Sequence, residues 1–182
     1  GGWRIDLQLF EEDDRAFYGS EEGVREWLPK VMDPKYIERI SWISTYTFYQ
    51  VVAESYTDEN RRIILAGEAA HLFAPFGARG LNSGVPDAIV GVQGIASALK
   101  SETNEEARRA IEAVANERLR AGLYNRECSN LALEHIQGTN EEIKLKREIS
   151  AFLAPHIPKL GKWLDEGPFG PRSGPPALST KY

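Results

Sequence analysis

The stretch RRIILAGEAAHLFAPFGARGLNSGVPDA, residues 61–88, constrains this chain more than any other. Ile63-Ile64-Leu65-Ala66 is a short apolar run of the kind that forms a buried strand. Gly67 permits a tight exit, and Glu68 stands where a turn or helix begins. From Pro75 to Gly84 a loop holding Gly77, Gly80 and Gly84 leads to a second helix, whose first turn can accept Pro86 and Asp87. A strand followed by two glycine-assisted helix starts leaves main-chain N–H groups unpaired. Such a surface suits an electron-rich ligand approached closely by backbone.

This run resembles the second flavin-contacting motif of the FAD-dependent aromatic hydroxylases, the class A flavoprotein monooxygenases of the p-hydroxybenzoate hydroxylase type. That motif has the form R-V-x-L-A-G-D-A-A-H, followed by P-x-G-G-x-G-x-N-x-G-x-x-D-A. The likeness extends ungapped from Arg61 to Ala88. It implies that the acid after Gly67, here Glu68, contacts ribityl and ribose hydroxyls of FAD. It also implies that the loop from Pro75 through Gly77, Gly80, Leu81 and Asn82 lies along the isoalloxazine ring, with the Leu81-Asn82 backbone at its pyrimidine edge. The cofactor-binding set is then Gly67, Glu68, Pro75, Gly77, Gly80, Leu81 and Asn82. No catalytic residue is assigned, which suits a family whose cofactor carries the hard chemistry.

The chain departs from the motif in places. Glu68 stands for the usual Asp, and Ala78-Arg79 for a common Gly-Gln; Ala78 is awkward if its position requires positive φ. The G-x-G-x-x-G segment that the family places earlier is not found, so the chain is expected to be the C-terminal part of such an enzyme. The expected partners are a small aromatic substrate and a separate N-terminal FAD-binding segment, with NADPH or NADH as reductant; a homodimer is left open. The alternatives are a catalytically silent flavin-fold module, or a related epoxidase, halogenase or reductase.

The pattern along the rest of the chain predicts an α+β architecture, with part of a substrate-side sheet followed by a C-terminal helical segment. Trp3, Ile5, Leu7 and Leu9 alternate with polar residues as in a strand, and 40–53 is rich in β-branched and aromatic residues. Ser20-Glu21-Glu22 signals a helix start, and residues 34–39 a weaker helix. The helix after Asp87 carries Gly91 and Gly94, each costing about 1 kcal/mol relative to Ala, so another element is expected to approach closely there. Thr103 and Gly138 bracket a long helix, and Thr139-Asn140-Glu141 opens the next. This divides the chain into 1–60, sheet; 61–100, motif and helix; 101–157, helices; and 158–182, a Gly/Pro-rich tail or linker.

A net charge of −5 argues against nucleic acid and anionic membranes as partners, and no apolar run nears the roughly 18 residues of a membrane helix. The single cysteine, Cys128, allows no internal disulfide, and a cytoplasmic setting is expected. His71 suits packing and hydrogen bonding better than acid–base catalysis. His135 and His156 have no partner at ligand spacing, so no metal site is expected.

Overall fold

The computed structural model describes residues 2–169. The chain forms two compact units, Gly1–Thr47 and Phe48–Tyr182.

The first unit is built on two capped helices. Asp14 caps α1 (Arg15–Tyr18), its carboxylate accepting from the amides of Ala16 and Phe17 at 3.0 and 3.1 Å. Ser20 caps α2 (Glu21–Trp27) through the Gly23 amide at 3.0 Å, with Glu21 and Glu22 in the first turn, as their charge against the helix dipole favours. Gly23 lies so close to the Phe17 carbonyl that a β-carbon would overlap it. The helix stops ahead of Pro29, which sits in a 3₁₀ turn at Leu28–Lys30, and a second 3₁₀ turn spans Pro34–Arg39.

The second unit is helical over a small sheet. β1 (Val51–Val52) pairs antiparallel with β2 (His71–Leu72), Val51 opposite Leu72 and Val52 opposite His71. The ladder continues as Ala53 N–H donating to the Ala70 carbonyl at 2.9 Å, and Thr57 bridges Ile64. α3 (Arg79–Lys100) and α4 (Asn104–Gln137) pack together across a three-residue connection, which makes them antiparallel neighbours. Thr103 and Glu106 cap α4 reciprocally, and Gly138 ends it in the left-handed conformation at φ 59°.

The core where sheet and helix meet consists of Tyr56, Ala70 and Ala115, with Val52, Ala53, Leu65 and Leu119 around them. The buried face of α4 is mostly small: Ala115, Ala121, Gly122, Cys128, Ser129 and Ala132. Small residues let Tyr56 reach the helix, its hydroxyl lying where a side chain on Gly122 would be. Burial, then the negative charge of Asp87, push the Tyr56 phenol up to about 12.

Three expectations are corrected. The architecture is mostly helical with one two-stranded sheet rather than α+β with several strands. Residues 3–10 and 40–50 pair with no strand among the described residues, and the run Ile63–Ala66 contributes only the bridge at Ile64. Alternation creates two side-chain faces, but a strand also requires a second backbone edge to take its hydrogen bonds. The third correction concerns the tail. Beyond α5 (Glu141–Leu153), residues 158–169 are regular rather than loosely ordered: a 3₁₀ turn at Gly167–Phe169 follows the helix α6 (Pro158–Glu166). Its apolar residues Leu160, Trp163 and Leu164 follow helical spacing, which the surrounding Gly and Pro conceal. Trp163 sits edge-on to His135 at 4.7 Å, under the Lys146 ammonium at 4.3 Å. Burial, then the Arg147 charge, hold the His135 imidazole below the usual histidine range. The part of the tail call from 170 to 182 lies outside the described residues.

Gly94 has the close approach its cost requires. A β-carbon there would come within 2.5 Å of Val114 Cγ2, on α4, whereas one at Gly91 would meet nothing within 4 Å. Gly91→Ala should therefore stabilise the chain by about 0.5–1 kcal/mol through helix propensity. Gly94→Ala should destabilise it by about 1–3 kcal/mol through overpacking. Urea unfolding of the two variants checks the opposite signs.

Candidate functional site

The centre of residues 61–88 is a buried carboxylate. Asp87, on α3 and almost wholly inaccessible, accepts from three directions. His71 Nε2 lies 2.7 Å from Oδ2, the Gly67 amide donates to the same oxygen at 3.0 Å, and Arg118 Nε of α4 donates to Oδ1 at 2.7 Å. A carboxylate requires a donor, so Nε2 of His71 carries the proton facing Asp87. The His71 ring stacks on Phe73 with centroids 4.5 Å apart, and Tyr56 lies beyond it at 6.3 Å. Burial by itself would raise the Asp87 carboxyl; hydrogen bonds from His71, Arg118 and Gly67 outweigh it and hold the group below the usual carboxylate range.

This node joins segments far apart in sequence. Gly67 turns the chain at φ 59°, and its amide is fixed by an acid twenty residues on. Glu68 follows in a 3₁₀ turn, exposed and with no protein partner among the described residues. Pro75 is exposed and leads into a second 3₁₀ turn, Phe76–Ala78. There Gly77 at φ 74° and Ala78 at φ 54° form two consecutive left-handed residues, and α3 starts immediately after. Ala78 thus occupies the conformation in which the sequence made it awkward.

The expected loop as far as Gly84 is corrected accordingly. Gly80, Leu81, Asn82, Ser83 and Gly84 are helical, and Pro86 lies inside α3 rather than in its first turn. The left-handed pair reverses the chain early enough for the helix to begin at Arg79. No side chain caps that start, and Leu81 is exposed. The Asn82 side chain donates to the Ala78 carbonyl at 2.8 Å, closing the turn from within the helix. Gly67 and Gly80 each face open space where a β-carbon would stand.

Beside this turn lies a cleft of about 310 Å³ lined by Gly77, Arg79, Asn82, Ser83, Asn125 and Phe169. Arg79 Nη1 donates to Asn125 Oδ1 at 2.8 Å, and Asn125 Nδ2 donates to Ser83 Oγ at 3.0 Å. Sequence reasoning singled out neither this relay nor the role of Arg118. The Arg118 signal is indirect: Asp87 precedes twelve uncharged residues, and a buried acid in such a helix requires a cation from elsewhere. Among the described residues no three His, Cys, Asp or Glu side chains gather as metal ligands, and no helix is long and apolar enough to cross a membrane.

The geometry is a turn held by a buried acid, an exposed acid after it and an uncapped long helix beyond. Residues 3–122 match the model of the FAD-binding domain, and the chain belongs to that family, the FAD-binding domain of class A flavoprotein monooxygenases. Among its relatives is the 12-dehydrotetracycline 5-monooxygenase/anhydrotetracycline 6-monooxygenase of Streptomyces rimosus, 31% identical over 204 residues that cover 99% of this chain and 40% of that enzyme. Another is the 3-(3-hydroxy-phenyl)propionate/3-hydroxycinnamic acid hydroxylase of Mycolicibacterium gilvum, 28% identical over 163 residues, covering 88% of this chain and 26% of that protein. The chain therefore spans less than half the length of these relatives. No solved structure matches it.

Two predictions follow from the geometry. Asp87→Ala should cost about 3–5 kcal/mol, because it leaves the Arg118 charge buried without its partner. Since the folded-state pKa of Asp87 is depressed, its contribution is complete above the ordinary value of about 3.9 and is lost as pH falls through the folded value. Asp87→Asn should remove that acid-side loss, visible in denaturation midpoints measured from pH 7 downward. Ala78→Gly should stabilise by about 0.5–1 kcal/mol, the relief of a left-handed Ala less the extra freedom of unfolded Gly; thermal unfolding reads it.

Proposed function

We propose that this chain carries the ring-side part of the FAD site of a monooxygenase that hydroxylates an aromatic or similar ring, using NADH or NADPH and dioxygen. The observation supporting this reading most strongly is the start of α3. A 22-residue helix begins without a side-chain cap, directly after the left-handed turn at Gly77 and Ala78. Its first-turn amides, and the positive end of its dipole, are available to an electron-rich ring edge. The open space at Gly80 lets a flat ring approach the backbone, and exposed Pro75 and Leu81 offer it apolar contact.

The residues present fit the cofactor. Glu68, exposed and without a protein partner among the described residues, is an acceptor for ribityl or ribose hydroxyls, and open space at Gly67 lets the chain pass close beneath them. Asp87 acts one step back by fixing the Gly67 amide from which Glu68 projects. When bound and reduced, FAD supplies the oxygen-activating chemistry; the protein's part is to orient the ring and favour negative charge on it. The tetracycline and phenylpropionate names belong to the relatives alone.

The chain spans 40% of the S. rimosus relative and contains no G-x-G-x-x-G phosphate loop, so FAD is expected to bind it weakly. Weak binding is still readable by amide NMR. Titrating FAD into the ¹⁵N-labelled chain should move the signals of Gly67, Glu68 and Gly77 through Asn82 together. Glu68→Ala should weaken that titration by about ten- to a hundredfold, the worth of a hydrogen bond to a charged group, while Glu68→Asp should change it little. Shifts confined to other parts of the chain, or no shifts at millimolar FAD, would contradict the proposal.

A further inference from the structure

α6 packs on α5, and the 3₁₀ turn after it comes back onto α4 and onto the turn at Phe76–Ala78. The Phe169 carbonyl lies where a side chain on Gly77 would be, and Phe169 forms one wall of the cleft of about 310 Å³. One side chain of α4 meets this returning segment at several points. A β-carbon on Gly167 would meet Cε1, Nδ1 and Nε2 of His135 almost equally, so the turn's backbone lies on the face of the imidazole. Trp163 stands edge-on to the same ring, and the Leu164 carbonyl accepts its hydrogen bond.

We propose that α6 and the turn Gly167–Phe169 form a pH-sensitive strap over the cleft at Gly77, latched by neutral His135 and released when that imidazole takes up a proton. The ring is 8% exposed, so a charge placed on it is taken out of water. The charges acting on it are both positive, Arg147 and then Lys146 on α5. Arg147 is held in place by donating to the Ile136 carbonyl at 3.4 Å, and Lys146 by the Trp163 ring. α6 presents Trp163 and the Leu164 carbonyl, while its acid Glu166 lies 4.0 Å from Lys162. The Leu164 carbonyl favours the charged ring; burial and the two cations outweigh it.

The direction of the pH effect follows. A released His135 titrates near its ordinary value of 6.5, and the docked ring titrates below it. Between those two values the released strap binds more protons than the docked one. Docking is therefore complete above pH 6.5, weakens as pH falls through that window and levels off below the docked value. One histidine of that ordinary value can shift the equilibrium by about tenfold at most between pH 7.5 and 5.5. This inference does not rest on the flavin reading, because no cofactor enters the latch or its test.

α6 has nine residues, too few to stay helical alone, so its amides exchange when the strap leaves α4. Hydrogen exchange on the whole chain, corrected for the intrinsic effect of pH, reads this at α6 and at the Gly167 amide, which donates to the Trp163 carbonyl. Protection there should fall about three- to tenfold from pH 7.5 to 5.5, with Ala115 of α4 unchanged. His135→Gln and His135→Phe, neither of which titrates, should each remove the fall. Gly167→Ala, whose methyl would press on the ring, should lower protection already at pH 7.5 and shift the Gly77 amide signal as Phe169 withdraws. Protection independent of pH, a fall that persists in either His135 variant, or an equal loss at Ala115 would overturn the proposal.

Discussion

A single buried carboxylate organises the second unit. Asp87 gathers a main-chain amide from the turn after the apolar run, an imidazole from the short sheet and a guanidinium from α4. Burying a carboxylate is expensive, and only charge-assisted bonds on both oxygens offset that cost. With that condition met, three segments have little freedom left relative to one another: Gly67 cannot swing, His71 cannot rotate away from Phe73, and α3 cannot slide along α4. The network stabilises less by its net energy than by making each of these alternatives leave a charge unpaired.

The consequence for chemistry is that the exposed groups stand on a fixed base. Glu68 is one residue from an anchored amide, and the start of α3 is about two helical turns from an anchored acid. The strained pair Gly77-Ala78 sits between them, with its Asn82 brace. Flexible loops lose ordering entropy when a ligand binds; a turn tied at both ends has already lost it. This is the physical sense in which membership of the FAD-binding family is written into the packing, and not only into the glycines.

Much of this was legible in the sequence, unevenly. Helix ends were readable because caps act locally: Ser20, Thr103, Gly138 and Asn140 all terminate helices where their chemistry directs. The need for close approach at Gly94 was readable from its helix cost. Strands were overestimated because pairing is a property of two segments, and the alternating run at Trp3–Leu9 carries no information about a partner. The start of α3 was displaced because Pro86 is a strong helix-start signal, whereas the left-handed Ala78 that sets the true start has no signature of its own. Asp87 and His71 were visible as members of a motif. Their union with Arg118, 31 residues beyond Asp87, was not, since nothing local specifies which distant cation answers a buried acid.

The account turns on the claim that Asp87 locks the Gly67 amide as part of the cooperative core. Native-state hydrogen exchange at that amide tests it directly. The account predicts that Gly67, although in a turn beside an exposed acid, exchanges only with global unfolding, as slowly as the amides of buried Ala115 and Ala132 in α4. Exchange at the rate of an open loop would show that the bond is not held in solution, and that the turn proposed to face the flavin lacks the anchor on which the rest depends.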